Sequence, residues 1–415
     1  MKVLLINPNK YKSPPVPPIG LEYLAASLER NSHAVEILDL CFSEALYTDI
    51  DNAVASFRPD VAGITVRNVD TVLYQTNEFF LDEIREVVNY LKVNHGLKTI
   101  IGGTGVSANP SGVLDYLNAD CGIAGPAEDT IHEVLTDIRI SGHGKIYRCK
   151  YRQEISCCRR PLKIDYAKYC GAGGVIGFET HKGCSSSCVY CLEANSRVSF
   201  KHAEDVVKEI RSFVDIGYNH FHLCDSEFNE SLEYSIAFCS ALKKSGLNIR
   251  WAVYMKPANF NKTLFRLLKD TGVYLITLTV DSWKKCPLYW EDYETFVFGA
   301  KSFGIKVAVD FLTGFPYESD DNLSEYFDML RRPLPDSVGV NTYLRLYSTL
   351  QITDIILRDE NLKSRLLGEA DDQTLLRPVF YNHNNTAALK RLINGDPIFR
   401  VEGTERGVNY GRVET

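Results

Sequence analysis

Cys184, Cys188 and Cys191 fall on one short segment, His181-Lys182-Gly183-Cys184-Ser185-Ser186-Ser187-Cys188-Val189-Tyr190-Cys191. The spacing is C-x3-C-x2-C. Three thiolates on one loop can each bind one iron of a cubane [4Fe-4S] cluster, leaving the fourth iron without a protein ligand. Such an open metal position is where a substrate coordinates. Gly183 and the intervening serines are small, so the loop can fold tightly around the cluster. A closed structural zinc site needs a fourth ligand, and none lies nearby in sequence.

This loop resembles that of the radical S-adenosylmethionine (SAM) superfamily, including the aromatic Tyr190 before the last cysteine. The resemblance implies that the amino and carboxylate groups of SAM chelate the open iron. An electron from the cluster then cleaves SAM, typically giving a 5'-deoxyadenosyl radical that takes hydrogen from substrate. It places Tyr190 near the adenine, and it implies an electron donor, a reductase or a flavodoxin- or ferredoxin-type protein.

Stepping outward, 415 residues make room for two domains and a smaller piece. A net charge of -7 argues against a general nucleic-acid surface. Twelve cysteines with no secretory signal fit a reducing, cytoplasmic setting, with thiols in metal sites or buried rather than in disulfides. No apolar run reaches membrane-spanning length.

Residues 1–140 alternate short apolar runs, at 3–6, 35–38, 61–66, 99–101 and 121–124, with helical patterns at 20–30, 72–93 and 128–138. That alternation predicts a doubly wound, Rossmann-like parallel α/β sheet whose ligand sits at the strand carboxyl ends. Those ends hold Asn7, Arg67 and the Gly102-Gly103-Thr104-Gly105 turn. The order of pieces resembles the cobalamin-binding domain of class B radical SAM enzymes. The resemblance is carried by Asn7-Pro8, Pro17-Pro18-Ile19-Gly20-Leu21-Glu22-Tyr23-Leu24-Ala25, Gly102-Gly103 and Gly125-Pro126-Ala127-Glu128. It implies a cobalamin whose nucleotide tail lies near Gly102 and Gly103. No Asp-x-His-x-x-Gly occurs, so that motif supplies no histidine to the lower face of cobalt. Arg67 is either a lower-face residue or a solvated, phosphate-pairing arginine.

Residues 141–173 read as a linker, a small strand pair and a connector, containing Cys149, Cys157, Cys158 and Cys170, with an adjacent Cys157-Cys158 pair that suits one cluster poorly. From 174 to 358, strands at 175–179, 221–224, 249–254, 274–280, 306–312 and 338–347 alternate with helices. Six such units resemble the superfamily's partial (β/α)6 barrel, whose active site lies at the strand carboxyl ends. There, Asp225 or Glu227 can accept hydrogen bonds from the SAM ammonium, while Ser226 or Asn229 can cap the next helix. Tyr254 and Lys256 follow strand three. Asp281-Ser282 matches the family's acid-Ser turn, Gly314-Phe315-Pro316-Tyr317-Glu318-Ser319 its Gly-x-Pro-x-Glu-Ser loop, and Arg345-Leu346-Tyr347-Ser348-Thr349 its Arg-x-Tyr-Pro-x-Thr, with serine for proline. Arg345 then pairs either with a carboxylate of SAM or substrate, or with a protein acid. His222 reads as a strand histidine.

Residues 359–415 form a short C-terminal cap in which His383, Asn384 and Asn385 read as surface loop. Together these readings predict a cobalamin-dependent methyltransferase acting on an unactivated carbon of a small molecule. Methylcobalamin would carry the methyl group and a second SAM would replenish it. The other readings are a radical SAM rearrangement, cyclisation or SAM-fragment transfer without cobalamin, and a non-catalytic cobalamin or metal sensor.

Overall fold

The computed structural model describes residues 1–401 except 141–143, 150–153, 156–158, 160–162, 284–285, 371–372, 385 and 394. Cys157, Cys158, Asn385 and the last fourteen residues therefore lie outside the described part.

The first sheet contains β1 (Lys2–Asn7), β2 (Ala34–Asp39), β3 (Val61–Thr65), β4 (Lys98–Gly102), β5 (Cys121–Ala124) and β6 (Lys145–Arg148). All strands are parallel in the order β2-β1-β3-β4-β5-β6. Strand side chains alternate between faces. Val3 and Leu5 pack with α1 (Ile19–Arg30) and α5 (Ile131–Ile140). Leu4 and Ile6 pack with α2 (Leu46–Phe57), α3 (Leu81–His95) and α4 (Pro110–Leu117) on the other face. The strand order reverses between β1 and β3, which makes a crevice at their carboxyl ends.

The helix expected over 72–93 begins only at Leu81. The buried residues Leu81, Ile84, Val87, Val88 and Leu91 keep helical spacing, whereas Val72 has φ +55° and is exposed. Residues 66–80 instead form a loop pinned by an antiparallel bridge between Asp70 and Phe79. The first strand of the linker, β6, does not stay apart but extends the first sheet.

The second sheet is parallel throughout, in the order β13-β12-β11-β10-β9-β8-β7. Its strands are β7 (Ile176–Phe178), β8 (His220–Leu223), β9 (Arg250–Met255), β10 (Val273–Asp281), β11 (Lys306–Leu312), β12 (Ser337–Asn341) and β13 (Phe399–Val401). Crossover helices cover its outer face, over a core that includes Phe178, Phe221, Trp251, Leu278 and Phe311. Ser231, Asn261 and Ser319 each cap the helix that follows a strand, accepting from the backbone N–H of Tyr234, Leu264 and Asn322. The sixth strand stops at Asn341, short of the expected 347, and β13 returns from the tail to add a seventh.

Residues after β12 pack against the first domain. Leu344, Leu346, Tyr347, Leu350, Ile352 and Leu376 share one core with α3 and α4. No helix among the described residues is long and apolar enough to cross a membrane.

Candidate active site at the barrel mouth

The cysteine loop is closed by its own backbone. Ser196 N–H donates to Cys184 O at 3.0 Å, Asn195 N–H to Ser186 O at 2.8 Å, and Cys191 N–H to Cys188 O at 3.1 Å. Gly183 has φ +87°, and a Cβ there would fall 2.2 Å from Arg197 O, so only glycine lets the two limbs of the loop cross. Burial, ahead of a nearby Glu230, pushes the Cys184 thiol up to about 11. Bound iron reverses that preference, because a coordinating thiol is deprotonated outright. Among the described residues no three His, Cys, Asp or Glu side chains gather as ligands of one ion. The cysteine set suits a cluster, in which each thiolate meets its own iron, better than a single zinc.

Tyr190 and Asp281, singled out separately in the sequence, meet directly. The phenol donates to Asp281 Oδ2 at 3.0 Å, while Trp283 N–H donates to Oδ1 at 2.9 Å. Glu227 lies at the end of the second barrel strand. The Thr279 hydroxyl donates to its Oε1, and its buried Oε2 has no hydrogen-bond partner among the described residues. Burial raises the Glu227 carboxyl to about 8. A buried polar atom left over in this way is open to a ligand partner. Tyr289, at the start of the helix Pro287–Ser302, senses Asp281, Glu227 and Cys188 together, after burial, in the rise of its own phenol. That residue was not found from sequence; its only signal was its place just behind Pro287 at a helix start after a barrel strand. Glu318 folds one oxygen back onto its own loop, accepting from Thr313 Oγ1 at 2.6 Å and Gly314 N at 2.7 Å. Its other oxygen is buried and unpartnered.

Three other predicted residues are engaged by protein. Asp225 accepts from Thr180 N–H at 2.8 Å and His181 N–H at 3.3 Å, from the Thr180 hydroxyl, and pairs with His181 Nδ1 at 3.1 Å. Both oxygens are filled, which turns this carboxylate toward the strand feeding the cysteine loop rather than toward an ammonium. Burial alone would lower His181, but Asp225 outweighs it and holds the imidazole above its ordinary value. Arg345 pairs with Asp70 of the first domain and donates to Leu346, Leu375 and Leu376 carbonyls. Asn7 donates to Asp39 Oδ1 at 2.8 Å and lies against Tyr169. The residues expected to cap a helix are also otherwise used: Ser226 donates to Glu193, and Asn229 bonds to Lys256.

At the crevice of the first sheet, a cavity of about 420 Å³ is lined by Pro8, Tyr11, Thr65, Arg67, Asn68 and Phe80, among others. Gly103 has φ +105°, and a Cβ would meet Val66 O at 2.6 Å. Gly102 has nothing closer than 4.0 Å, so its backbone is open to close approach. These features fit a large ligand laid over the sheet end. Cys224, just after the facing barrel strand, is exposed. Among the described residues, Cys149 and Cys170 join no group of metal ligands.

Residues 13–135 match the B12 binding domain family, and residues 178–330 match the radical SAM superfamily. The chain is 24% identical to the tryptophan 2-C-methyltransferase of Streptomyces laurentii, over 83% of this chain and 72% of that one. It is also 24% identical to the cytidylyl-2-hydroxyethylphosphonate methyltransferase of Streptomyces wedmorensis, over 76% of this chain and 73% of that one. Its fold overlays the radical SAM methyltransferase TsrM of Kitasatospora setae, solved with cobalamin and a [4Fe-4S] cluster, with a TM-score of 0.84. That overlay spans 98% of this chain and 93% of the other at 24% identity, a likeness of fold. A cysteine loop at a barrel mouth, set against an open sheet end, thus coincides with both matches: the chain carries a B12-binding domain followed by a radical SAM domain.

Proposed function

We propose that this protein is a cobalamin-dependent methyltransferase that uses SAM and a [4Fe-4S] cluster to methylate an unactivated carbon of a small molecule. The observation carrying this reading is Glu227 Oε2, buried and without a partner among the described residues, at the same barrel mouth as the cysteine loop and the Tyr190–Asp281 pair. When bound, the cluster supplies an electron and an open iron, and cobalamin supplies a cobalt that can carry methyl.

The chain's own residues do the placing. Cys184, Cys188 and Cys191 hold the cluster. Glu227 accepts from the SAM amino group, with Glu318 as a further acceptor, and Asp281 holds Tyr190 against the adenine. Arg67, Gly102 and Gly103 border the cobalamin. Asp225 serves as a positioning residue, since it ties the second strand to the segment entering the cysteine loop. Tyr190 is fixed by Asp281 before any ligand arrives, so orientation is set in advance. The electron comes from a reductase or a flavodoxin- or ferredoxin-type donor.

The test is anaerobic purification with iron, sulfide and cobalamin offered and excess removed, followed by reaction with SAM carrying a deuterated methyl group. About one cobalamin per chain, a cluster, and transfer of label to substrate are expected. A cluster with no retained cobalamin overturns the reading and leaves radical chemistry on SAM and substrate alone.

A further inference from the structure

The cysteine loop rests on an ion pair from two other barrel strands. Glu230 follows the second strand, and its carboxylate is 1% exposed. It accepts from Ser185 Oγ at 2.5 Å and Ser185 N–H at 3.3 Å, the residue next to Cys184. Lys256 follows the third strand. Its ammonium lies 2.9 Å from Glu230 Oε1 and 3.2 Å from Ser186 Oγ. Both residues are held from behind. Asn229 donates to Lys256 O at 2.8 Å and accepts from Lys256 N–H at 3.1 Å, and Asn259 donates to Glu230 O at 3.1 Å. A fixed negative and a fixed positive charge thus sit on two consecutive serines between the first two cysteines.

We infer that Glu230 and Lys256 are positioning residues for the cluster: the pair holds the cysteine loop in shape, and its two charges pull the cluster's reduction potential in opposite directions. This inference rests on the reading of Cys184, Cys188 and Cys191 as cluster ligands. Reduction adds one electron to a site already carrying three thiolates, so nearby charge shifts its potential with a predictable sign. Lys256 favours the reduced state. Glu230 disfavours it, but its carboxylate is needed to hold Ser185 and to keep Lys256 in place. With the pair intact the two effects largely cancel, and the loop has its anchor without a net charge.

The experiment compares wild type, Glu230→Gln, Lys256→Met, Lys256→Arg and the Glu230→Gln/Lys256→Met double variant. Each is reconstituted without oxygen, its iron and sulfide are counted, and its cluster is titrated with reductant while the reduced signal is followed by electron paramagnetic resonance. Lys256→Met is expected to lower the midpoint potential and Glu230→Gln to raise it. Lys256→Arg and the double variant should lie near wild type, the double with a weaker hold on iron. Shifts of one sign in both single variants, or no shift with full iron, overturn the inference. So does a Lys256→Met variant of unchanged potential that binds SAM more weakly, since the lysine would then belong to the SAM carboxylate. A wild-type chain that builds no cluster overturns this inference together with the proposed function, whereas a wild type with cluster and cobalamin but no opposite shifts overturns this inference alone.

Discussion

Arg345 Nε lies 2.7 Å from Asp70 Oδ2, joining residues 275 positions apart in sequence. The two side chains are 2% and 0% exposed. Asp70 also accepts from Val72 N–H at 2.7 Å, so the pair fixes the loop between β3 and α3 as well as the two domains. Ser348 and Thr349 extend the same seam, bonded to Asn109 and to Ala108 O. Replacing one partner strands a charge in the interior, at a cost of about 3–5 kcal/mol. Arg345→Met and Asp70→Asn should each lower the thermal midpoint clearly, and the double variant should lose much less than the sum. Additive losses would mean that the two residues act independently.

A second seam centres on Arg159, whose fully buried guanidinium pairs with Glu22 at 2.8 Å and Glu209 at 2.9 Å. Glu22 comes from α1 and Glu209 from the helix Ala203–Val214 of the barrel. Nearby, Lys182 bridges Glu128 and Glu179, and Lys201 also reaches Glu179. Burial alone would raise Glu179, but the two lysines bring it down to about 2. A planar fork with several donors meets partners in different directions, which an ammonium cannot copy. Arg159→Lys should therefore destabilise the protein nearly as much as Arg159→Met, by roughly 3–5 kcal/mol. Chemical denaturation followed by tryptophan fluorescence checks this, and a Lys variant equal to wild type would defeat it.

Those two seams show where sequence reading stops. The cysteine loop, the two parallel sheets and most barrel strands were legible, because spacing and alternation are local properties. Glu22, Tyr23, Glu128 and Arg345 stand in motifs that resemble ligand-binding ones, and the structure engages them in contacts between domains. Sequence alone does not distinguish a carboxylate waiting for a ligand from one paired across a domain boundary, since the partner is more than fifty residues away. Asp225 and Glu227 make the point most sharply. They are two residues apart, yet one is fully hydrogen-bonded and the other has an orphaned oxygen. Strand β13 was missed because three residues give too short a pattern.

Gly183 offers a local test of the cysteine loop. Its positive φ costs a residue with a side chain about 1–2 kcal/mol, and the 2.2 Å approach to Arg197 O adds a backbone clash. Gly183→Ala should keep the overall fold, since the strain is confined to the loop, but hold less than half the iron of wild type after reconstitution. Iron analysis alongside circular dichroism separates the two effects. Full iron content in the variant would show that the loop tolerates opening.

Glu227 gives a pH dependence with a definite sign. Its folded carboxyl titrates near 8, raised by burial, whereas an unfolded glutamate titrates near about 4.3. Between those values the folded state holds a proton that the unfolded state has released, so this group's contribution to stability falls as pH rises and levels off above about 8. Glu227→Gln should remove that part of the decline. Ligand binding should run the other way. If Glu227 accepts from the SAM amino group, the ionised carboxylate is the binding form, and affinity should rise with pH by up to about tenfold per unit below 8, then flatten. Because the amino hydrogens stabilise the carboxylate, binding near pH 7 should also release a proton from Glu227. Calorimetric titration of the cluster-loaded protein with SAM, in two buffers of different ionisation enthalpy, measures both effects. A Glu227→Gln variant with the same pH profile and proton release as wild type would remove Glu227 from the SAM site.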